Sequence, residues 1–76
     1  MNELVIGDRV HPAHNLIGLD HIGTMTLFHP AATLTIDQVI NLHDPECVRY
    51  RITDGNTYAW CMAHDLILAQ EHETGD

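Results

Sequence analysis

Short apolar runs, most of them four to eight residues long, are separated along this chain by residues that favour turns. The turn signals are Gly7-Asp8, Asn15, Gly18, Gly23, Pro30, Asp44-Pro45-Glu46 and Asp54-Gly55-Asn56. Frequent turns between short apolar segments are typical of β-barrels and β-sandwiches, whereas helical bundles need longer periodic segments. The pattern therefore predicts an all-β fold.

The clearest predicted strand is 47–53, in which apolar and polar side chains alternate. Val48, Tyr50 and Ile52 fall on one face, and Arg49, Arg51 and Thr53 fall on the other. Because successive side chains of a strand point to opposite faces, this order predicts an apolar inner face and a cationic outer face. The Asp54-Gly55-Asn56 turn then predicts a hairpin that returns as an antiparallel strand over 57–61.

Three further strands and two irregular segments complete the prediction. The strands are expected at 8–11, 21–28 and 66–69. Residues 12–20 are expected to form a loop, because proline, asparagine and glycine all interrupt that stretch. The acidic residues 70–76 are expected to form a disordered tail, so that the domain itself would span 1–69.

The segment 34–43 fits two structures. The aliphatic residues that would share one face of a strand are Leu34, Ile36, Ile40 and Leu42. A strand requires that Gln38 points inward or marks a β-bulge. In a helix, Thr35 and Gln38 would instead form a capping box. We favour the strand, because the Asp44-Pro45-Glu46 turn joins it directly to the next one, and a short helix over 35–43 is the alternative.

Charge narrows the range of functions. Eleven carboxylates face three arginines and no lysine in 76 residues, which gives a net charge of −8. Nucleic acids and anionic membranes are bound through clustered cations, and three arginines do not make such a cluster. We therefore expect no direct nucleic-acid or membrane ligand, and a basic protein surface is the natural partner.

Size and cysteine content place the chain in a class of small cytoplasmic domains. Its length allows one domain with a thin core, and no apolar run approaches the roughly 18 residues that cross a bilayer. The N-terminal Met1-Asn2-Glu3 lacks the basic residues of a secretory signal, so we expect a cytoplasmic protein. In that compartment Cys47 and Cys61 are expected to be buried, unpaired thiols rather than a disulfide.

Candidate chemical groups are present but incomplete. A zinc site could be built from Cys47, Cys61, His64 and one of the other six histidines. We expect instead that the seven histidines are neutral polar residues, with no metal or other cofactor bound. The adjacent His64-Asp65 lacks an accompanying nucleophile, and no phosphate-binding loop occurs, so we expect no enzyme.

Aromatic and cationic side chains have simpler expected roles. Trp60 is expected to anchor the core or the barrel mouth, because aromatic residues make up only 5% of the chain and peptide-binding grooves use several. Arg49 and Arg51 are expected to pair with nearby carboxylates at the surface, each pair contributing less than about 1 kcal/mol.

The order of several short motifs resembles SH3-like small barrels. These motifs are Gly7-Asp8-Arg9-Val10, Gly23-Thr24, Tyr50-Arg51-Ile52, Asp54-Gly55, Tyr58-Ala59-Trp60 and Asp65-Leu66, and they span most of 7–69. In such barrels the first motif opens strand one, the Gly-Thr step bends strand two, and the Asp-Leu pair ends a one-turn helix before the last strand. The resemblance implies a single SH3-like five-stranded barrel, a fold that hosts many functions.

By its size and charge, the chain also resembles small acidic inhibitors of the phage type, such as anti-CRISPR proteins and DNA-mimicking antirepressors. This resemblance implies a non-enzymatic module that blocks the nucleic-acid-binding surface of a host protein. The carboxylates in or beside the central strands and turns are the expected contacts, namely Asp37, Asp44, Glu46 and Asp54. The alternative is an interaction subunit or homo-oligomer with mainly apolar contacts, in which the charge serves solubility.

Overall fold

A computed structural model describes residues 4–69 of the chain, and within them nearly all regular structure is β-strand. The strands are β1 (Arg9–Pro12), β2 (Leu16–Leu19), β3 (Met25–Phe28), β4 (Leu34–Ile40), β5 (Arg49–Thr53), β6 (Tyr58–Cys61) and β7 (Leu66–Leu68). One turn of 3₁₀ helix, Ala63–Asp65, precedes β7. The predicted all-β class is confirmed.

These strands form one antiparallel sheet in the order β3-β2-β6-β5-β4-β1-β7, curled into a half-barrel. A small barrel-like fold was predicted, but the predicted five-stranded SH3-like barrel is not confirmed. The sheet has seven strands, and β3 and β7 lie at its two ends. The curl places one set of alternate side chains inside and the other set outside.

The core fills the inner side of the half-barrel. Its buried apolar residues are Val10, Phe28, Leu34, Ile36, Tyr50, Ile52, Ala59, Cys61 and Leu66. The alternation predicted for 47–53 is confirmed in β5, where Tyr50 and Ile52 are buried and the alternating residues Arg49, Arg51 and Thr53 are half-buried. The hairpin is also confirmed, since β6 pairs with β5 in an antiparallel register that places Trp60 opposite Arg51.

The loop predicted over 12–20 is wrong, because β2 occupies its second half. Gly18 lies inside that strand and is buried. A Cβ atom at Gly18 would stand 2.7 Å from Cγ2 of Thr57 and 2.8 Å from Cε2 of Phe28. The glycine therefore admits the phenylalanine ring to the core, and it does not interrupt the strand.

The second predicted strand begins later than its sequence indicates. Residues 21–24 form a turn between β2 and β3 rather than the first half of a strand. Gly23 has a φ of 88°, a conformation that favours glycine. The Gly23-Thr24 step thus belongs to the turn ahead of β3, not to a bend within a strand.

The ambiguous segment 34–43 is a strand over Leu34–Ile40 and not a helix. The pairing with β5 shifts register between Ile36 and Gln38, so a bulge occurs at Asp37. Beyond the bulge, Val39 turns inward and packs against the core, while Gln38 and Ile40 are exposed. The inward apolar series therefore continues at Val39 instead of Ile40.

The predicted tail 70–76 lies outside the described residues. Within 4–69, no helix has the length and apolar character required to cross a membrane.

Candidate functional site on the outer face

Six large side chains cover the outer face of β2, β3 and β6. They are Ile17, Leu19, Met25, Leu27, Tyr58 and Trp60, and together they are called the outer strip below. Directly opposed residues of antiparallel strands share a face. In this sheet Ile17 opposes Leu27, and Leu19 opposes both Met25 and Tyr58. The outer strip is therefore continuous across three neighbouring strands.

Most of the outer strip is open to solvent. The exposed fraction is 57% for Ile17, 70% for Met25 and 48% for Trp60. Trp60 was expected to anchor the core or the barrel mouth, and it does not lie in the core, because β6 turns the neighbouring Ala59 and Cys61 inward instead. A contiguous exposed apolar surface of this kind makes the outer strip a candidate interaction surface.

Arg51 borders the outer strip on β5 and is held in place on two sides. Its guanidinium donates to both carboxylate oxygens of Asp37, at 2.8 and 3.0 Å. Its Cζ atom also lies 4.6 Å from the centroid of the Tyr58 ring and 6.0 Å from that of Trp60. The predicted pairing of Arg51 with a carboxylate is confirmed, and the bidentate geometry makes it the most ordered type of ion pair.

The bulge in β4 explains why Asp37 is the partner of Arg51. It inserts Asp37 between Ile36 and Gln38, opposite the outward-facing Arg51 of β5. Asp37 thus has its charge compensated within the fold, which leaves it a poor candidate for an independent contact with a cation. Arg49 donates to the backbone carbonyl of Val48 at 3.4 Å instead.

The other three predicted contact residues lie at opposite ends of the β4–β5 hairpin. Asp54 is in the β5–β6 turn, where its Oδ1 accepts hydrogen bonds from the amides of Asn56 and Thr57 at 2.9 Å. These amides lower the pKa of Asp54. Asp44 and Glu46 lie in the exposed loop 41–47 at the far end, where Asp44 accepts from the Glu46 amide at 3.3 Å. The structure does not bring the four predicted carboxylates into one patch.

Asp20 is a carboxylate beside the outer strip that the sequence prediction missed. It follows Leu19 directly, and its Oδ1 accepts from the amides of Ile22 at 3.0 Å and Thr24 at 2.8 Å. Hydrogen bonding to these amides lowers the pKa of Asp20. An aspartate three residues before a glycine, between two apolar runs, is a turn signal that could have identified it.

The carboxylate of Asp65, in the 3₁₀ helix, connects that helix to the β1–β2 loop through hydrogen bonds. One oxygen accepts from Nε2 of His14 at 2.8 Å, and the other accepts from the Met62 amide at 3.0 Å. His64 approaches the same carboxylate at 3.5 Å. The Met62 amide and His14 lower the pKa of Asp65, and Asp65 raises the pKa of His14.

The two cysteines differ in their surroundings. Cys61 is buried and donates weakly to the carbonyl of Tyr50 at 3.7 Å, and burial raises the pKa of its thiol to about 12. Cys47 is exposed, so the prediction that both thiols are buried is wrong for it. Among residues 4–69, no three His, Cys, Asp or Glu side chains converge as metal ligands would.

Comparison of the chain with protein families, curated proteins and solved structures finds no match.

Proposed function

We propose that this protein is a non-enzymatic protein-binding module that engages a basic partner, most concretely the nucleic-acid-binding surface of a host or regulatory protein. The observation that carries the proposal is the charge of −8 with only three cations, one of which, Arg51, already pairs with Asp37. Such a charge speeds association with a basic surface and makes it salt-sensitive. The SH3-like identity and the likeness to phage-type inhibitors belong to the same proposal and rest on the motifs, size and charge.

The way the carboxylates are held supports this function. Five of the seven carboxylates within 4–69 accept hydrogen bonds from backbone amides, namely Asp8, Asp20, Asp44, Asp54 and Asp65. A hydrogen bond from a neutral backbone amide fixes the position of a charge without cancelling it. A fixed array of negative charges loses less freedom on binding than a mobile one.

In the test, proteins from a cell lysate are first bound to beads that carry duplex DNA. The module is then added, and the proteins that it releases from the beads are identified. The variant carries Asp44→Asn and Glu46→Gln, which remove two exposed charges from the loop 41–47. Asp37 and Asp54 are left unchanged, because both bind groups of the fold and their neutralisation would also destabilise it. We expect the wild-type chain to release a discrete set of proteins at about 50 mM salt and far fewer at about 300 mM.

The double variant should require several-fold more protein for the same release, because steering weakens with each lost charge. His43→Gln in the same loop is the matched control, since it changes a side chain without removing a negative charge, and it should release as well as wild type. If the wild-type chain releases nothing from DNA at low salt, the proposed function is wrong.

The outer strip favours a second candidate, an interaction subunit or homo-oligomer held by apolar contacts. In that case the charge would serve solubility alone. Sedimentation of the chain by itself separates the two, because apolar self-association should persist between about 50 and 300 mM salt, whereas an acidic monomer stays monomeric.

A further inference from the structure

Strand β3 ends the sheet on the side of the outer strip and has a free edge. Within residues 4–69 it pairs only with β2. Residues 22–28 contain no charged side chain and no proline, two of the features that natural edge strands use to prevent pairing with other chains. The edge is therefore open to an additional strand.

The phase of the hydrogen bonds determines which backbone groups face that edge. The amide of Asp20 donates to the carbonyl of Thr24 at 3.1 Å. Because hydrogen-bonded and non-hydrogen-bonded pairs alternate in antiparallel ladders, Gly18–Thr26 and Leu16–Phe28 are the next bonded pairs. The N–H and C=O groups of Met25 and Leu27 consequently point away from β2, toward the free edge.

The side chains of the same two residues belong to the outer strip. A strand paired with Met25 and Leu27 would place the side chains opposite them on the outer face, against apolar neighbours. Backbone hydrogen bonds and an apolar surface are thus offered together, which is the arrangement used in β-strand addition.

We infer that β3 is the docking edge, and that its occupant is an extended segment of the basic partner in which apolar residues alternate with lysine or arginine. The inference rests on the proposed function and names how the partner is held. Charge complementarity selects this occupant, because the chain carries −8 and Arg51, which borders the outer strip, is already paired with Asp37. The carboxylate of Asp20, fixed at the β2–β3 turn, provides an anion at one end of this edge for the segment's cations.

A second copy of this chain fits the same edge less well. Two β3 strands would meet without a single opposite charge to pair, since residues 22–28 are neutral. Each copy would also bring its full −8, and like charges oppose association. Pairing of two copies is therefore an outcome that the experiment must be able to detect.

Amide hydrogen exchange tests the inference directly. In the free protein the amides of Met25 and Leu27 should exchange quickly, whereas those of Thr26 and Phe28, bonded to β2, should be protected. The probe is a short capped peptide in which lysine alternates with valine. On its addition, Met25 and Leu27 should become protected. A glutamate–valine peptide and a lysine–valine peptide with N-methylated backbone amides should protect neither.

A pair of variants separates backbone pairing from side-chain contact. Leu27→Pro removes the outward N–H and should weaken binding of the lysine–valine peptide about tenfold or more, because proline is tolerated on an edge but donates nothing. Leu27→Ala removes the side chain and keeps the N–H, so it should weaken binding less. Since Leu27→Pro could impair folding, the N-methylated peptide on the wild-type chain provides the same comparison without a substitution.

The outcomes distinguish this inference from the proposed function. The inference is overturned if the lysine–valine peptide binds without protecting Met25 and Leu27, or if the N-methylated peptide binds equally well. It is also overturned if these amides become protected in the free chain as its concentration rises, which would identify a second copy as the occupant. In each case release of proteins from DNA beads can still succeed, whereas failure of that release alone would refute the proposed function.

Discussion

At the scale of single residues, the absence of a side chain at Gly18 makes room for two buried neighbours. Phe28 and Thr57 both occupy the space that a Cβ atom at this position would need. Both are almost fully buried, with exposed fractions of 3% and 2%, so neither can move aside into solvent. The glycine is thus a packing requirement, even though its backbone does not have a positive φ.

Gly18→Ala should therefore destabilise the fold by about 1–3 kcal/mol, the usual range for overpacking a buried site. Chemical denaturation monitored by Trp60 fluorescence or circular dichroism would measure the change. Ile17→Val on the same strand is the control, because its side chain is exposed, and it should change the free energy of unfolding by less than about 0.5 kcal/mol. Equal stability of Gly18→Ala and wild type would contradict the packing described here.

Single residues also show where sequence reasoning succeeds and where it ends. Alternation along β5 correctly predicted that Arg51 points outward, since period two is a local property of strands. Its partner Asp37 could not be predicted, because a bulge displaces the pairing by one residue and such a shift reverses the face of every later side chain. The core position considered for Trp60 was wrong for a different reason, since composition alone does not say which face of β6 is buried.

At the scale of elements, His14 and Asp65 join the β1–β2 loop to the 3₁₀ helix before β7. Asp65 has a lowered pKa, so its contribution to stability is present above its unfolded value of 3.8 and is lost as pH falls through the folded pKa. His14 has a raised pKa, so its contribution is complete below its unfolded value of 6.5 and is lost as pH rises through the folded pKa. Both stabilising contributions are therefore present between pH 3.8 and pH 6.5, the unfolded-state pKa values of Asp65 and His14.

His14→Gln should accordingly lower the melting temperature most near pH 5–6. The difference from wild type should shrink as pH rises through the raised folded-state pKa of His14, above which the histidine is neutral in both folded and unfolded states. Thermal unfolding across this pH range measures the effect, and His43→Gln in the exposed loop 41–47 is the control. A difference that grows with pH would mean that the ionic form of the pair does not stabilise the fold.

Elements were predictable where the signal was local. The β5–β6 hairpin and the strand over Leu34–Ile40 follow from alternation and from turn residues between them. β2 was not predictable in the same way, because Gly18 interrupts the strand signal. The glycine is required by the ring of Phe28, which is ten residues away in the sequence. Packing between distant residues overrode the local breaker.

At the scale of the whole molecule, the curl of seven strands into a half-barrel leaves the outer strip and the β3 edge open. The order of strands in the sheet is determined by pairing between residues that are far apart in the sequence. The predicted number of strands therefore did not reveal their order. Net charge, by contrast, is fully readable from composition. What composition cannot indicate is that most of the described carboxylates are fixed by hydrogen bonds within the fold.

The histidine content makes the whole-molecule charge sensitive to mild acid. Seven histidines can add up to seven positive charges to a net charge of −8, which would bring it to −1. Asp20, Asp54 and Asp65 have lowered pKa values, so they stay ionised in mild acid. These three carboxylates therefore keep their negative charge between about pH 7.5 and pH 5.5.

Release of proteins from DNA beads at low salt should consequently weaken when the pH falls from about 7.5 to about 5.5. The partner's own histidines would act in the opposite direction by making it more basic, so the comparison must be made between variants of this chain. A His21→Gln/His29→Gln variant, altered on both sides of β3, should lose part of the pH response and keep the release at pH 7.5. Release that is equally strong at both pH values would show that binding does not depend on the negative charge, and the apolar alternative would then be preferred.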